Sequence, residues 1–378
     1  MGARMLAVLV ALLVLIGGGA AYYYQQEGRT STVALLGEAL LPSIKAADIS
    51  SIVLREGGDT LTLTRKEDRW ILVERGDFPA DPAKVREFVL KVLELKIGQN
   101  EPVTAADRAR LRLAEKGKDG AATELQFKGA GGKVLGALLI GKKYFKGAAP
   151  DNIEAATGDG RFVMLPGVAD RVYIVSDPLP QATAKSAPWI ITDGIAIQNP
   201  GSIEMRFRDG ERWRVFRDGK QGPWKLDPLK AGEKAEQSRL SSAAYGLYEL
   251  KIADVAPMDF KPEASGLDTP ITLSATGEEG ARFTIKLGKL RKTDLYASIV
   301  MDNVPADKPR VPAKDEKPED KGKIDKEYSE FLAKRTARYA REKSLSNYTV
   351  LLTMRSLSDI LKRRDELLDK KPEPAKKN

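Results

Sequence analysis

The chain has 378 residues, 42% of them hydrophobic and 30% charged. That is enough length for two or three folding units and enough apolar surface to exclude a wholly disordered polymer. It contains no cysteine and no histidine, which removes disulfides, thiol nucleophiles, zinc fingers, iron–sulfur clusters and every Ser-His-Asp or Cys-His device. The net charge of +9, from 62 basic and 53 acidic residues, is a modest excess that suits anionic surroundings.

The first element is the uncharged apolar run Met5 to Tyr24. As a helix it spans roughly 30 Å, the thickness of a bilayer's hydrocarbon core, and no comparable run follows. Arg4 precedes it and Gln25, Gln26 and Glu27 follow, so the body is expected on the extracytoplasmic side. Residues 1–27 read as a membrane anchor held in the lipid bilayer through Arg4, Leu6, Leu9, Leu13, Ile16, Tyr22, Tyr23 and Tyr24. Residues 28–47 read as a linker. A cleaved signal peptide competes with this reading, with small residues for processing at Gly18-Gly19-Ala20 or Gly19-Ala20-Ala21. The three tyrosines, suited to a membrane–water boundary, favour retention.

The remainder contains one pattern twice, over 48–190 and 191–370. Copy one opens with the short alternating runs 48–54, 60–63 and 69–73, and copy two with 202–207, 212–216 and 223–226. Such runs between Gly- or Asp-bearing turns predict an antiparallel meander. A helix follows in each. Asp81-Pro82 has the chemistry of a helix start, and Val85, Phe88, Val89 and Val92 form its apolar stripe; Leu240, Ala243, Ala244 and Leu247 form the other. Both helices run into similar words, Leu93-Glu94-Leu95-Lys96-Ile97 and Tyr248-Glu249-Leu250-Lys251-Ile252.

The copies meet again in two predicted hairpins, 124–127 with 138–142 and 271–273 with 285–289, whose second strands are expected to end in Gly-Lys. Copy one closes with strands 161–164 and 171–175, copy two with 347–351. Between Asp302 and Lys326 a charged insertion carrying Pro305, Pro309, Pro312 and Pro318 reads as an exposed loop. Beyond it, Tyr328, Phe331, Leu332, Arg335 and Tyr339 predict an amphipathic helix, and Leu357, Ile360, Leu361 and Leu368 another. Residues 371–378 form a basic tail. The fold class expected is α+β: two tandem related domains of mostly antiparallel sheet with packed helices, behind one amino-terminal transmembrane helix.

No motif nominates a catalytic centre, a metal site or a cofactor. Gly136 to Lys143 approaches a phosphate-binding loop, but Lys143 stands where Ser or Thr would hold magnesium, and the intervening residues are apolar strand formers. Gly129-Ala130-Gly131-Gly132 suits a hairpin turn, and Thr157-Gly158-Asp159-Gly160 lacks the ligands of a calcium loop. Lys185-Ser186 is a poor nucleophile–base pair on adjacency alone. Trp70 and Trp224 occupy equivalent packing positions, whereas Trp189 and Trp213 are expected nearer the surface. The basic tail and Lys-rich loop suit solvent or anionic headgroups. An exported body argues against nucleic acid as a partner.

The chain resembles the bacterial DUF4340 family of membrane-anchored envelope proteins. The resemblance rests on the amino-terminal apolar segment, Leu40-Leu41-Pro42 ahead of Asp48-Ile49-Ser50-Ser51-Ile52, Arg69-Trp70-Ile71-Leu72, Pro79-Ala80-Asp81 and Gly266-Leu267-Asp268-Thr269-Pro270. It covers most of residues 40 to 300, with weaker matches at Tyr173 and Tyr348. Copy one departs at the last of these words, with Leu111-Arg112-Leu113-Ala114-Glu115 in its place. The resemblance implies an inner-membrane, single-pass accessory protein beside ABC-transport components of the gliding-motility kind, with integral membrane transport subunits or other envelope proteins as partners and no functional residue to carry across. Two other readings stand beside a non-enzymatic scaffold: an envelope binding module for an anionic glycan or lipid, and a His-free hydrolase or lyase using paired carboxylates.

Overall fold

The computed structural model describes residues 36–369 except 154–155, 169, 198, 220, 278–279 and 313–315. The anchor residues Arg4, Leu6, Leu9, Leu13, Ile16, Tyr22, Tyr23 and Tyr24 and the tail 371–378 lie outside the described residues. Among the described residues no helix is long and apolar enough to cross a membrane. The described residues form two compact units, one of residues up to 73 with 79–189, the other of 74–78 with 190 onward. The class is α+β, built on two mostly antiparallel sheets with few helices.

Sheet one contains β1 (Ser51–Glu56), β2 (Asp59–Lys66), β3 (Arg69–Leu72), β4 (Phe78–Pro79), β5 (Gln99–Pro102), β6 (Thr123–Lys128), β7 (Val134–Tyr144), β8 (Gly160–Met164) and β9 (Arg171–Val175). Their spatial order is β4-β3-β2-β1-β6-β7-β8-β9-β5. Sheet two contains β10 (Ser202–Arg206), β11 (Arg212–Phe216), β12 (Lys225–Asp227), β13 (Ile252–Val255), β14 (Ile271–Thr276), β15 (Arg282–Arg291), β16 (Asp294–Asn303) and β17 (Val350–Thr353), ordered β12-β11-β10-β14-β15-β16-β17-β13. Apart from β4, the two orders are the same. Registers agree too: Ser51 faces Thr64 and Lys128, and Ser202 faces Phe216 and Thr276.

Each sheet buries one face under a helix. Helix α1 (Pro82–Leu93) starts where Asp81 accepts from the Ala83 and Lys84 amides, with Pro82 supplying a preset first turn. It buries Val85, Phe88, Val89 and Val92. After it comes the short helix α2 (Ala105–Arg110). In unit two, α3 (Gln237–Tyr245) buries Leu240, Ala243 and Ala244, and the short helix α4 (Pro262–Ser265) precedes β14. The shared words after α1 and α3 pair alike. Lys96 bridges Ala39, while the Leu40 amide donates to the Leu95 carbonyl; Lys251 bridges Asp193, while the Gly194 amide donates to the Leu250 carbonyl. The stretch read as linker therefore contributes pairing from Gly37 on, and Leu40 is buried.

The opposite face of each sheet carries a smaller core. In unit one Leu111, Leu113, Met164 and Val172 cluster with Leu139 and Phe162. Strand alternation places Leu139 on the face away from Leu138 and Ile140. In unit two Ala256, Tyr296 and Leu351 cluster with Phe260, whose ring stacks on Tyr296 at 4.7 Å.

Several sequence expectations are corrected. The second hairpin strands do not end at Gly-Lys. β7 and β15 continue through register shifts at Ile140/Lys143 and Leu287/Leu290, because a neighbouring helical turn lies over each glycine. A Cβ on Gly141 would sit 2.5 Å from the Leu111 carbonyl oxygen, and one on Gly288 2.0 Å from that of Ser265. Both bulge carbonyls accept from an arginine, Gly141 from Arg161 Nε at 2.7 Å and Gly288 from Arg208 Nη2 at 2.6 Å. Arg112 (φ 55°) and Gly266 (φ 67°) follow α2 and α4 in the same left-handed conformation, so Arg112-Leu113 is the counterpart of Gly266-Leu267.

Trp189 and Trp213 are fully buried, since Trp189 packs edge-on against Phe88 at 4.8 Å and Trp213 donates from Nε1 to the Lys362 carbonyl at 2.9 Å. The run from Leu357 to Leu368 is not one helix. After α5 (Lys321–Ser344) come α6 (Met354–Leu357) and a 3-10 turn at Arg364–Leu367, because the apolar residues Leu357, Ile360 and Leu367 bury themselves from separate turns.

Candidate functional site

The longest difference between the two sheets is in the connection that follows β8 in one and β16 in the other. β8 and β9 are joined by 165–170, whereas β16 and β17 are joined by 304–349, which contains α5 (Lys321–Ser344). Over its described residues the charged insertion ahead of α5 is mostly exposed and without helix or strand, and it forms a strap tied to the helix by side-chain bonds. Arg310 Nη2 reaches Glu316 at 2.7 Å and Arg310 also pairs with Asp325 at 2.6 Å. Tyr328 Oη donates to the Lys308 carbonyl at 2.9 Å, and Arg335 Nη2 donates to Asp307 at 2.6 Å. These anchors hold a segment whose composition could not bury enough apolar surface by itself.

Between α5 and one end of sheet two lies a cleft of about 240 Å³. Its floor is apolar, with Ile197, Ala281 and Phe283; its helical wall presents Phe331, Lys334, Arg335, Arg338 and Tyr339. The wall follows from helical spacing, since positions three and four apart share a face. Arg335 is 7% exposed, and its partner Asp307 has a side chain 52% exposed. The Asp307 carboxylate also accepts from Thr336 Oγ1 at 3.3 Å. Arg338 lies over the Tyr339 ring, 4.8 Å from its centre, with its Nε 3.8 Å from Glu342.

Glu342 is fully buried, one turn beyond Arg338, and accepts from the Ala196 amide at 3.3 Å. Burial raises its pKa above the usual carboxylate value, opposed by that amide and by Arg338 and Arg341. The turn between β14 and β15 lies beside the cleft through Gly277 and Ala281; its Glu278 and Glu279 are outside the described residues. Arg335 and Glu342 are the two charged side chains buried among the described residues, and both belong to α5. Unit one has the same strand order without them, so the fold does not require their burial.

The motifs weighed in the sequence fall elsewhere. Gly136 to Lys143 lies within β7, and Gly129 to Gly132 forms the β6–β7 turn with positive φ at Gly131 and Gly132. Ser186 is buried, its carbonyl accepting from the Trp189 amide at 2.9 Å. Among the described residues no group of three or more acidic side chains is placed to hold a metal ion. Phe331, Arg335 and Tyr339 were legible as one face of an amphipathic helix. Lys334 and Arg338 were missed as members of a site, although their spacing from Phe331 and Arg335 interleaves basic and aromatic groups.

A family model described as a domain of unknown function, DUF4340, matches residues 70–270, more than half of the chain. It runs from β3 to the residue before β14. Neither the curated proteins nor the solved structures yield a match.

Proposed function

Because the chain belongs to the DUF4340 family, we propose that it is a non-enzymatic accessory or scaffold subunit of a bacterial envelope assembly of the ABC-transport kind. In this reading the apolar run Met5 to Tyr24 is a single inner-membrane helix, and two units related by duplication stand on the extracytoplasmic side as docking surfaces for integral membrane subunits. The observation that carries the reading is the repeated strand order of the two sheets behind a run of membrane-spanning length. Repeated sheets multiply surface, and a single span keeps that surface beside membrane partners.

Two measurements test it. A carboxyl-terminal reporter that is active only outside the cytoplasm should be active in intact cells, and a cytosolic readout would refute the topology. Purification in mild detergent should recover transport subunits at fixed stoichiometry, and a lone monomer under conditions that preserve weak assemblies would refute the scaffold role.

A second reading, a binding module for an anionic lipid or glycan, is favoured by the cleft under α5. Lys334, Arg335 and Arg338 line one wall there, over an apolar floor. Salt-sensitive binding of the full chain to anionic polymers or vesicles is its signature, and no binding at low ionic strength would refute it.

A further inference from the structure

The end of the β15–β16 hairpin stands beyond its neighbour β14. β14 pairs with β15 only as far as Ile271 opposite Leu287, and past the Gly288 bulge Leu290 still faces Leu295 and Arg291 faces Asp294. The turn closes through Lys292, in the left-handed region at φ 58°. Leu290 is 57% exposed there, and Met354, whose amide donates to the Thr293 carbonyl at 3.1 Å, is 37% exposed. Between Lys286 and Asp294 the chain carries four basic residues and one acid. Arg355 follows Met354, and Arg208 reaches the Gly288 carbonyl at 2.6 Å.

Among the described residues the side chains of Lys289, Arg291, Lys292 and Arg355, all exposed, make no ion pair and no hydrogen bond. Lys289 lies along Gly266, where a Cβ would come within 2.7 Å of its Cγ, yet neither Glu263 nor Asp268 pairs with it. Asp294 accepts from Thr293 Oγ1 at 3.4 Å instead. Other exposed cations of unit two do have acids: Lys225 has Asp218, Lys251 has Asp193 and Glu249, and Arg363 has Asp209. Crowded cations repel one another and attract a surface of opposite sign, and a leucine among them gains by leaving water. A projecting tip does not enclose a small ligand; it presses on a plane that presents anions above an apolar layer.

We propose that this tip, with Lys289, Arg291 and Lys292 around Leu290, rests on an anionic lipid bilayer, the cations pairing with headgroup phosphates while Leu290 enters the interface. The inference adds a second membrane contact to the proposed single span, and rests on that reading for the nearness of the bilayer. It does not involve the cleft under α5.

Because the chain has no cysteine, one label reports on one position. The full chain is reconstituted into vesicles of phosphatidylglycerol in phosphatidylcholine, or of phosphatidylcholine alone, with a fluorophore at Leu290→Cys. The control label is at Met258→Cys, 78% exposed beyond the opposite end of sheet two. Quenchers carried on the lipid should reach the Leu290 label on anionic vesicles and not the Met258 label. Each basic residue near an anionic surface is worth about fivefold, so Lys289→Gln, Arg291→Gln and Lys292→Gln together should lower the docked-to-free ratio of the tip by about 100-fold. Raising salt from about 0.1 to about 1 M should also release the tip, by shortening the screening length from about 10 to about 3 Å. Lipid quenching that is equal at both positions, unchanged by the triple substitution, or absent while the chain floats with the vesicles would overturn the tip contact and leave the span intact. A label shielded from aqueous quencher in native membranes, yet out of reach of lipid quencher, would assign the tip to a protein partner and overturn the lipid contact too. A chain that fails to float with either kind of vesicle would overturn both the span and the tip contact.

Discussion

The strongest constraint on the fold is the close approach at Gly288, and replacing it with alanine tests whether the bulge in β15 exists for that contact. The added Cβ would lie 2.0 Å from the Ser265 carbonyl oxygen and 3.1 Å from its carbon, against rigid backbone rather than a flexible side-chain end. Relief requires a separation of at least about 1 Å between β15 and the end of α4, of the kind that costs 1–3 kcal/mol in a packed interior. The shift also strains the bond from Arg208 Nη2 to the Gly288 carbonyl, 2.6 Å long, a charge-assisted contact worth about 1.5–3 kcal/mol. Partial loss of both terms gives a destabilisation of about 3 kcal/mol. For a unit of this size that lowers the melting temperature by about 6–12 °C. The control is Gly201→Ala, where the nearest atom is the Thr276 carbonyl oxygen at an ordinary 3.7 Å; its effect should stay within about 0.5 kcal/mol. Calorimetry of both variants decides the matter. A Gly288→Ala loss below about 1 kcal/mol, or equal losses in the two variants, would refute the close-approach argument.

Three further outcomes follow from individual side chains. Arg112→Gly should stabilise unit one by about 0.5–1 kcal/mol in urea unfolding, because it frees a left-handed φ of 55° at the usual entropic cost of glycine. It also removes a charge that, after desolvation, helps to lower the pKa of half-buried Arg161; a destabilised variant would contradict the assignment of Arg112 to the Gly266 role. Trp213→Phe should cost about 2–3 kcal/mol by chemical denaturation, from the void it leaves and the Lys362 carbonyl it orphans, and a neutral result would place Trp213 outside the core. Glu342 has its folded pKa raised mainly by burial. Its stability contribution is therefore fully present below the unfolded value of 4.5 and is lost as pH rises through the folded value. Glu342→Gln should flatten that decline above pH 4.5, and parallel wild-type and variant curves would show that Glu342 is not the titrating group.

The sheet pairing was legible because the matched words carry it. The runs 48–54 and 202–207 alternate, and the Leu95 and Leu250 carbonyls accept the same bond from the segment ahead of each sheet. Trp213 was misplaced near the surface although its burial was legible: in Arg212-Trp213-Arg214-Val215 the outward arginines place the tryptophan with Val215 on the buried face. The Gly-Lys bulges were not, since nothing in Gly141-Lys142 or Gly288-Lys289 announces that a helical turn from earlier in the chain will lie over the glycine. β16 was obscured because Leu295 to Met301 has buried residues on both faces and runs straight into the charged insertion. The strap was unreadable for another reason. Composition reports how little apolar surface a segment can bury, not whether charged partners such as Asp325 and Arg335 will hold it against a helix.

The contrast between the units also bears on which parts of the fold are constrained. A strand with neighbours on both sides cannot move without breaking two ladders, so the common order persists through extensive divergence; a connection between adjacent strands is free to grow. The β16–β17 connection is the longer, and its helix buries Arg335 and Glu342. Burying charge is unfavourable unless each group finds a close partner, and apolar side chains of similar volume would serve packing as well or better. If α5 only capped the end of sheet two, leucine or methionine at 335 and 342 would suffice, and the substituted chain would keep its fold and gain stability. Arg335 and Glu342 are therefore exceptions to packing economy, and both lie on α5, an element that unit one lacks.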